Sequence, residues 1–411
     1  MRIEQKTLAF MTVFAVFAPA ATSACLQSNF SGGAQSSGAL YGVWMPETTC
    51  WNGSFVVFAH GYVAPGQPSG VPTDQLTIGG LSLPATFNQL GYGFAASGYS
   101  KNGLAIVQGV NDSMDLVQSI LKPTFSPKRV YLIGASEGGL VAALSAEQLP
   151  NVYNAAGAAC GPIGSFQDQI DYFGDFRVIF DYFFPGILPS SSTSSPVDIP
   201  EEVMEDWYTV YVPEIEAALA ANPAAAGQVI KVMNAAVTSD PTTVGETILD
   251  ALWYNVFATD DAISTLKGQP YDNHDRIYFG STNDFLLNAK VERFTASPVA
   301  LAAVKASYET SGKLSMPTIT LHTTLDPVIP YWQEPLYTLK TVLAGRLLSL
   351  TSLPVAAYGH CAFTGPEVLA AFDLIVLRDA GQSLLTEIEN SLDDEHRAEF
   401  VNAARTDGLL R

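Results

Sequence analysis

The stretch Gly134-Ala135-Ser136-Glu137-Gly138 sets a serine among small residues where an apolar run, RVYLI, gives way to a helix-like one, GLVAALSAEQL. A serine hydroxyl is a weak nucleophile at its free pKa. It needs an adjacent base, and it must stand clear of its own backbone. A sharp strand-to-helix turn presents it, and crowding at that turn admits only small residues on either side. The backbone N–H of Glu137 would open the helix, where it can stabilise a developing oxyanion.

The base has five candidates. His60 ends a strand-like run ahead of the serine, His274 lies in a helix- and loop-rich middle region, and His396 lies in a charged tail. His322 sits inside the apolar run TITLHTT and reads as a satisfied core histidine. His360 follows PVAAY and a glycine, so it falls on a loop after the last strand, where a solvent-reachable base belongs. The orienting acid is Asp326, just past a strand in TITLHTTLDPVIP, with Asp168 and Asp171 as fallback acids. The chain order Ser136, Asp326, His360 is the one found with strand-to-helix serine turns. A second oxyanion donor is expected from VVFAHGYVAPG, at Tyr62 or, for a tighter turn, Gly61. His60 then has a structural role.

Short apolar runs at 40–44, 55–59, 93–97, 129–133, 154–160, 318–323 and 354–358 read as strands. Helical patterns fall between several of them, at 111–121 and 138–148, and another follows the last, at 366–378. This alternation predicts an α/β fold with a mostly parallel sheet covered on both faces. It breaks once. From Gly161 to about Lys313 the chain reads as helices and loops, with helices expected at 200–221 and 226–237. The strand pattern then resumes, so this block reads as an insertion over the sheet. Its start, DYFGDFRVIFDYFFPG, is crowded with aromatics, which reads first as packing and second as ligand contact.

Hydrophobic residues make up 48% of the 411-residue chain and charged residues 15%, a balance that suits a packed globular protein. A formal net charge of −20 argues against nucleic-acid and anionic-membrane partners. The N-terminus carries Arg2 and Lys6, an apolar run from Leu8 to Ala21 and then Thr-Ser-Ala, the pattern of a signal peptide cleaved after Ala24. No later apolar run is long enough to span a membrane. An exported chain meets an oxidising compartment, and Cys25, Cys50, Cys160 and Cys361 fit two disulfides in one of three pairings. A Cys25–Cys50 bridge would pin the mature N-terminus.

With His60-Gly61-Tyr62, Gly134–Gly138, Asp326-Pro327 and Gly359-His360 in place, the chain resembles the α/β-hydrolase superfamily from about residue 40 to 380. SGYSKNGLAIVQG and LHTTLDPVIPYW also resemble secreted serine hydrolases of the esterase and prolyl-oligopeptidase-like kind. The resemblance implies an eight-stranded, mostly parallel sheet flanked by helices, a helical cap inserted after the sixth strand, and no cofactor or metal. The expected division is a leader at 1–24, a core at 25–160 and 314–411, and a cap at 161–313. In the feruloyl-esterase and tannase group a cysteine before the nucleophile bridges to one beside the catalytic histidine. Here Ala135 takes the first position, while Cys361 does follow His360. Cys160 ends the neighbouring strand, so a Cys160–Cys361 bridge would brace the histidine loop. The chemistry implied is acyl transfer to water, with a small-molecule ester as substrate, apolar or aromatic in one part. A peptidase or amidase on the same groups is the alternative, as is a non-hydrolytic use of the fold: a binding protein, lyase, cyclase or acyltransferase.

Overall fold

The computed structural model describes residues 25, 27–189 and 197–391. The expected leader, residues 190–196 of the Ser-rich loop, and residues 392–411 with His396 lie outside them.

Eight strands form the main sheet: β1 (Gln27–Ala34), β2 (Leu40–Pro46), β3 (Ser54–Ala59), β4 (Gly93–Ser97), β5 (Arg129–Ala135), β6 (Ala155–Ala159), β7 (Thr318–Leu325) and β8 (Leu350–Tyr358). Their spatial order is β1-β2-β4-β3-β5-β6-β7-β8. β2 runs antiparallel to β1 and β4, and every pairing from β4 to β8 is parallel. Order and sense are those of the α/β-hydrolase fold, as expected. The seven strands read from the sequence are present, and β1 adds the eighth.

Successive side chains on a strand face opposite ways, so a strand covered on both faces divides its residues between two cores. β3 and β5 do this. Phe55, Val57, Val130 and Leu132 pack with Leu140, Val141 and Leu144 of the helix Glu137–Gln148. Val56, Phe58, Tyr131 and Ala135 face the other side, against Phe372 and Ile375 of the helix Gly365–Ser391. The serine turn is thus anchored at its base by two cores at once.

Between β6 and β7 the chain leaves the sheet for a set of helices, among them Phe166–Phe183, Pro223–Met233 and Thr242–Leu266. The expected helix over 200–221 is three pieces: Glu201–Glu205, a π-helical turn Trp207–Tyr211, and Val212–Ala221, which has proline in its first turn. These helices bury a core of their own around Phe176, Phe180, Trp207, Ile248 and Leu252. Polar contacts tie them to the sheet. The Tyr62 hydroxyl donates to Phe257 O (2.9 Å), Lys101 pairs with Asp261 (3.1 Å), and the Tyr172 hydroxyl donates to Pro327 O (2.8 Å).

Candidate active site

Ser136 sits at the tip of the turn with φ 57° and ψ −125°, a conformation that β-carbon-bearing residues rarely hold. The flanking glycines explain how the turn closes. A Cβ on Gly134 would lie 2.0 Å from Gly138 O, and one on Gly138 would lie 2.0 Å from Ala59 O. Both contacts are to backbone, so neither can yield. The Ser136 N–H is held by Ala159 O of the neighbouring strand (2.9 Å).

His360 stands on the loop after β8. Its Nε2 is 2.8 Å from Ser136 Oγ and its Nδ1 is 2.8 Å from Asp326 Oδ2. The loop is fastened to β7 through Gly359 N–H to Leu325 O (3.1 Å) and Thr323 Oγ1 to Gly359 O (2.7 Å). Asp326 is fully buried, and its second oxygen accepts the N–H groups of Val328 and Ile329 (2.9 Å each). Burial opposes its charge, but His360, His322 and their hydrogen bonds hold its pKa down at about 2. It therefore stays a carboxylate, able to orient His360 and to balance an imidazolium. The sequence expectations for Ser136, Asp326 and His360 meet in one continuous hydrogen-bonded line.

His322 lies behind that line, fully buried, with Nδ1 3.3 Å from Glu334 Oε1 and Nε2 2.8 Å from Ile329 O and 3.6 Å from Asp326 Oδ2. It has core partners, as its apolar strand implies, but they are charged. Desolvation opposes protonation, and the two carboxylates outweigh it, raising its pKa to about 10. His60 is buried and stacked on Tyr99 (centroids 3.8 Å), with Nδ1 against Gly61 O at 2.7 Å. Burial takes its pKa down to about 4, so the neutral ring props the loop that carries Tyr62. His274 is exposed, far along the chain excursion, with its ring 3.8 Å from Asp275 and its backbone N–H donated to Asp272. Of the fallback acids, Asp171 is taken by Arg276 (2.9 Å), and Asp168 stands one turn into the helix Phe166–Phe183.

The Gly61 N–H is already used: it donates to Gln75 Oε1 at 2.7 Å. Among the described residues the Tyr62 and Glu137 N–H groups find no acceptor, and both residues border the same cavity beside Ser136. The Glu137 side chain points into the protein. It is 7% exposed, its Oε1 accepts the Ala105 N–H (2.8 Å), and its Oε2 has no partner among the described residues. Burial pushes its pKa up to about 8.

Cys160 and Cys361 are bonded to each other, as are Cys25 and Cys50. The first bridge ties the end of β6 to the residue after His360, and Cys361 Sγ lies 3.6 Å from His360 Nε2. Both Cys160 and Cys361 hold positive φ, 44° and 52°.

Two site residues come from the helical excursion and have no motif. Tyr254 borders the spaces on both sides of Ser136, and its phenol lies against the serine; burial is the chief reason that phenol stays protonated. Phe173 stacks on Tyr254 (centroids 4.9 Å, interplanar angle 8°). Of the other rings of the aromatic run, Tyr172, Phe176, Phe180 and Phe184 are buried in the core of the excursion, and Tyr182 and Phe183 pack against it half-buried.

No protein-family model matches the chain, and no curated protein does. Solved structures do. Feruloyl esterase B from Aspergillus oryzae is 13% identical with a TM-score of 0.41, over 81% of this chain and 73% of that one. The rice cell wall degrading esterase LipA from Xanthomonas oryzae is 12% identical with a TM-score of 0.42, over 85% and 87%. The acylaminoacyl peptidase of Pyrococcus horikoshii is 11% identical with a TM-score of 0.39; the match covers 84% of this chain and 39% of that one. The strand order and the parallel sense of its sheet, not these distant similarities, give the chain its α/β-hydrolase fold.

Proposed function

We propose that the protein is an exported serine hydrolase acting on carboxylic esters. The observation that carries this reading is the line Ser136 Oγ, His360, Asp326, with both hydrogen bonds at 2.8 Å and two N–H groups beside the serine that find no acceptor among the described residues. In the proposed reaction Ser136 Oγ attacks the ester carbonyl carbon, and its proton passes to His360 Nε2. The Tyr62 and Glu137 N–H groups receive the oxyanion. As the tetrahedral intermediate collapses, Nε2–H protonates the leaving alcohol oxygen and the C–O bond breaks. Water then repeats the sequence on the acyl-enzyme, releasing the acid and restoring the serine. Esters are favoured over amides because an alcohol leaves more readily than an amine. The domain reading goes with this: residues 161–313 act as a cap that supplies Phe173 and Tyr254 to a core of 25–160 and 314–411. Two disulfides fit an oxidising compartment, and among the described residues no helix is long and apolar enough to cross a membrane.

Active-site labelling with a fluorophosphonate tests the reading. Stoichiometric labelling of the wild type, lost in Ser136→Ala and His360→Ala, is expected, together with turnover of 4-nitrophenyl esters and none of peptide 4-nitroanilides. A folded wild type that takes no label overturns it. Preferential cleavage of the anilides would make the protein an amidase.

A further inference from the structure

Ser136 stands between two spaces of different character. On one side is an apolar cavity of about 100 Å³ beside Tyr62 and Glu137, lined by Phe166, Ile170, Phe173 and Ile329. On the other is a more open cleft of about 300 Å³ that reaches His360, Cys361, Gln75 and Thr77. His360 borders the cleft and does not border the cavity.

That asymmetry assigns the two halves of an ester. The general acid must reach the leaving oxygen in the transition state, so the alcohol has to lie on the side of His360. The acyl chain then takes the remaining direction, into the apolar cavity. The cavity is short. An apolar cavity of roughly 150 Å³ holds a benzene molecule, so one of about 100 Å³ holds a chain of about four carbons. The stacked pair Phe173 and Tyr254 forms part of its wall. A second space of about 60 Å³ shares Ile170, Phe173, Tyr254, Ala258 and Ala262 with it. Phe173 is thus one of five residues that border both small spaces, and it is the large one among them that does not lie against the serine. The cleft on the alcohol side is about three times as large as the cavity.

Resting on the esterase reading above, we infer that the substrate is a short-chain acyl ester of a bulky hydroxylic compound, and that Phe173 sets the acyl length. The chain enters the small apolar cavity, and the large alcohol lies in the wider cleft at His360.

The test is a kcat/KM series on 4-nitrophenyl acetate, butyrate, hexanoate and octanoate. Butyrate should exceed octanoate by at least about tenfold in the wild type, since a methylene that does not fit a pocket costs that much. Phe173→Ala joins the two spaces and should raise the octanoate-to-butyrate ratio at least about tenfold. Ala258→Leu fills the cavity and should lower butyrate relative to acetate by a similar factor. It tests the assignment even where Phe173→Ala does not fold. On the alcohol side, the butyrate ester of methyl glucoside should be cleaved with kcat/KM no lower than methyl butyrate, and methyl diphenylacetate should not be cleaved. Ratios are taken within each variant, so a general loss of activity cancels. A wild type that prefers octanoate, or ratios that move less than twofold in both variants, overturns this assignment and leaves the esterase reading standing. A wild type that cleaves no ester defeats the esterase reading first.

Discussion

Glu137→Gln should stabilise the protein, and by more as the pH rises. Glu137 follows the nucleophile directly, so its backbone place is set by the serine turn, while its carboxyl group is carried into the interior. One oxygen has the Ala105 N–H, and the other has no partner. Burial dominates, the nearby Asp261 adds to it, and Lys101 and the Ala105 hydrogen bond oppose it; the pKa rises from an ordinary 4.5 to about 8. Tyr62, Tyr99, Tyr254 and Tyr308 also face the group, and their phenols stay protonated across this range. Between pH 4.5 and 8 the native state therefore holds a proton that the unfolded state has released. Stability from this group is fully present below pH 4.5 and is lost as pH rises through about 8. At about 1.4 kcal/mol for each pKa unit, the loss is about 3 kcal/mol at pH 7 and almost 5 kcal/mol above pH 9.

Glutamine keeps an acceptor for the Ala105 N–H and never ionises. Equilibrium urea denaturation of wild type and Glu137→Gln at pH 5, 7 and 9 reads the effect directly. Every other titrating group, and the self-repulsion of a chain with net charge −20, is common to both proteins and cancels in the difference. The variant's advantage should grow by about 4 kcal/mol from pH 5 to pH 9. A gap that stays constant with pH would mean the native carboxylate is ionised and solvated throughout, and would refute the reasoning.

Asp326→Asn should leave the fold intact, since its buried oxygen still accepts from Val328 and Ile329, yet lower kcat on a 4-nitrophenyl ester by about 10⁴ through the wrong His360 tautomer. A fall of less than tenfold would remove Asp326 from the proposed role. Gly138→Ala drives a methyl into Ala59 O and should cost about 3 kcal/mol or more by chemical denaturation, together with fluorophosphonate labelling. Gly227→Ala is the contrasting case: an exposed helical glycine with nothing within 4 Å of its Cβ should gain about 0.5–1 kcal/mol. Replacing both Cys160 and Cys361 by serine opens a loop of 201 residues and should cost about 5 kcal/mol, read as a drop in the urea midpoint. The same variant should lose ester turnover at urea concentrations where it remains folded, because the brace beside His360 is gone.

What could be read from the sequence, and what could not, divides along a physical line. The serine turn, Asp326 and His360 are each marked by local chemistry, a small residue at a crowded turn or a polar residue closing an apolar strand, and the fold brings such strand ends to one edge. β1 carries no such mark. QSNFSGGA has turn composition, and only its pairing with β2 makes it a strand. That the Gly61 N–H is occupied was likewise not legible locally. It turns on Gln75, a side chain fourteen positions away that occupies the Gly61 N–H. Tyr254 has no motif and reaches Ser136 because the helix Thr242–Leu266 crosses above it. The aromatic run is different, because its spacing carried only half of the signal. Phe166, Gln169, Ile170 and Phe173 recur at i, i+3, i+4 and i+7 and make one face, which borders the cavity beside the serine. Phe176 and Phe180 follow Phe173 at i+3 and i+7 and so continue that face, yet with Tyr172 and Ile179 they fill the core of the excursion, against which Ile170 and Phe173 also pack. Periodicity alone therefore does not set Phe173 apart from the rings that follow it. Its place along the helix axis does: the first two turns run past Ser136, and the rings one and two turns further on lie in the excursion's own core.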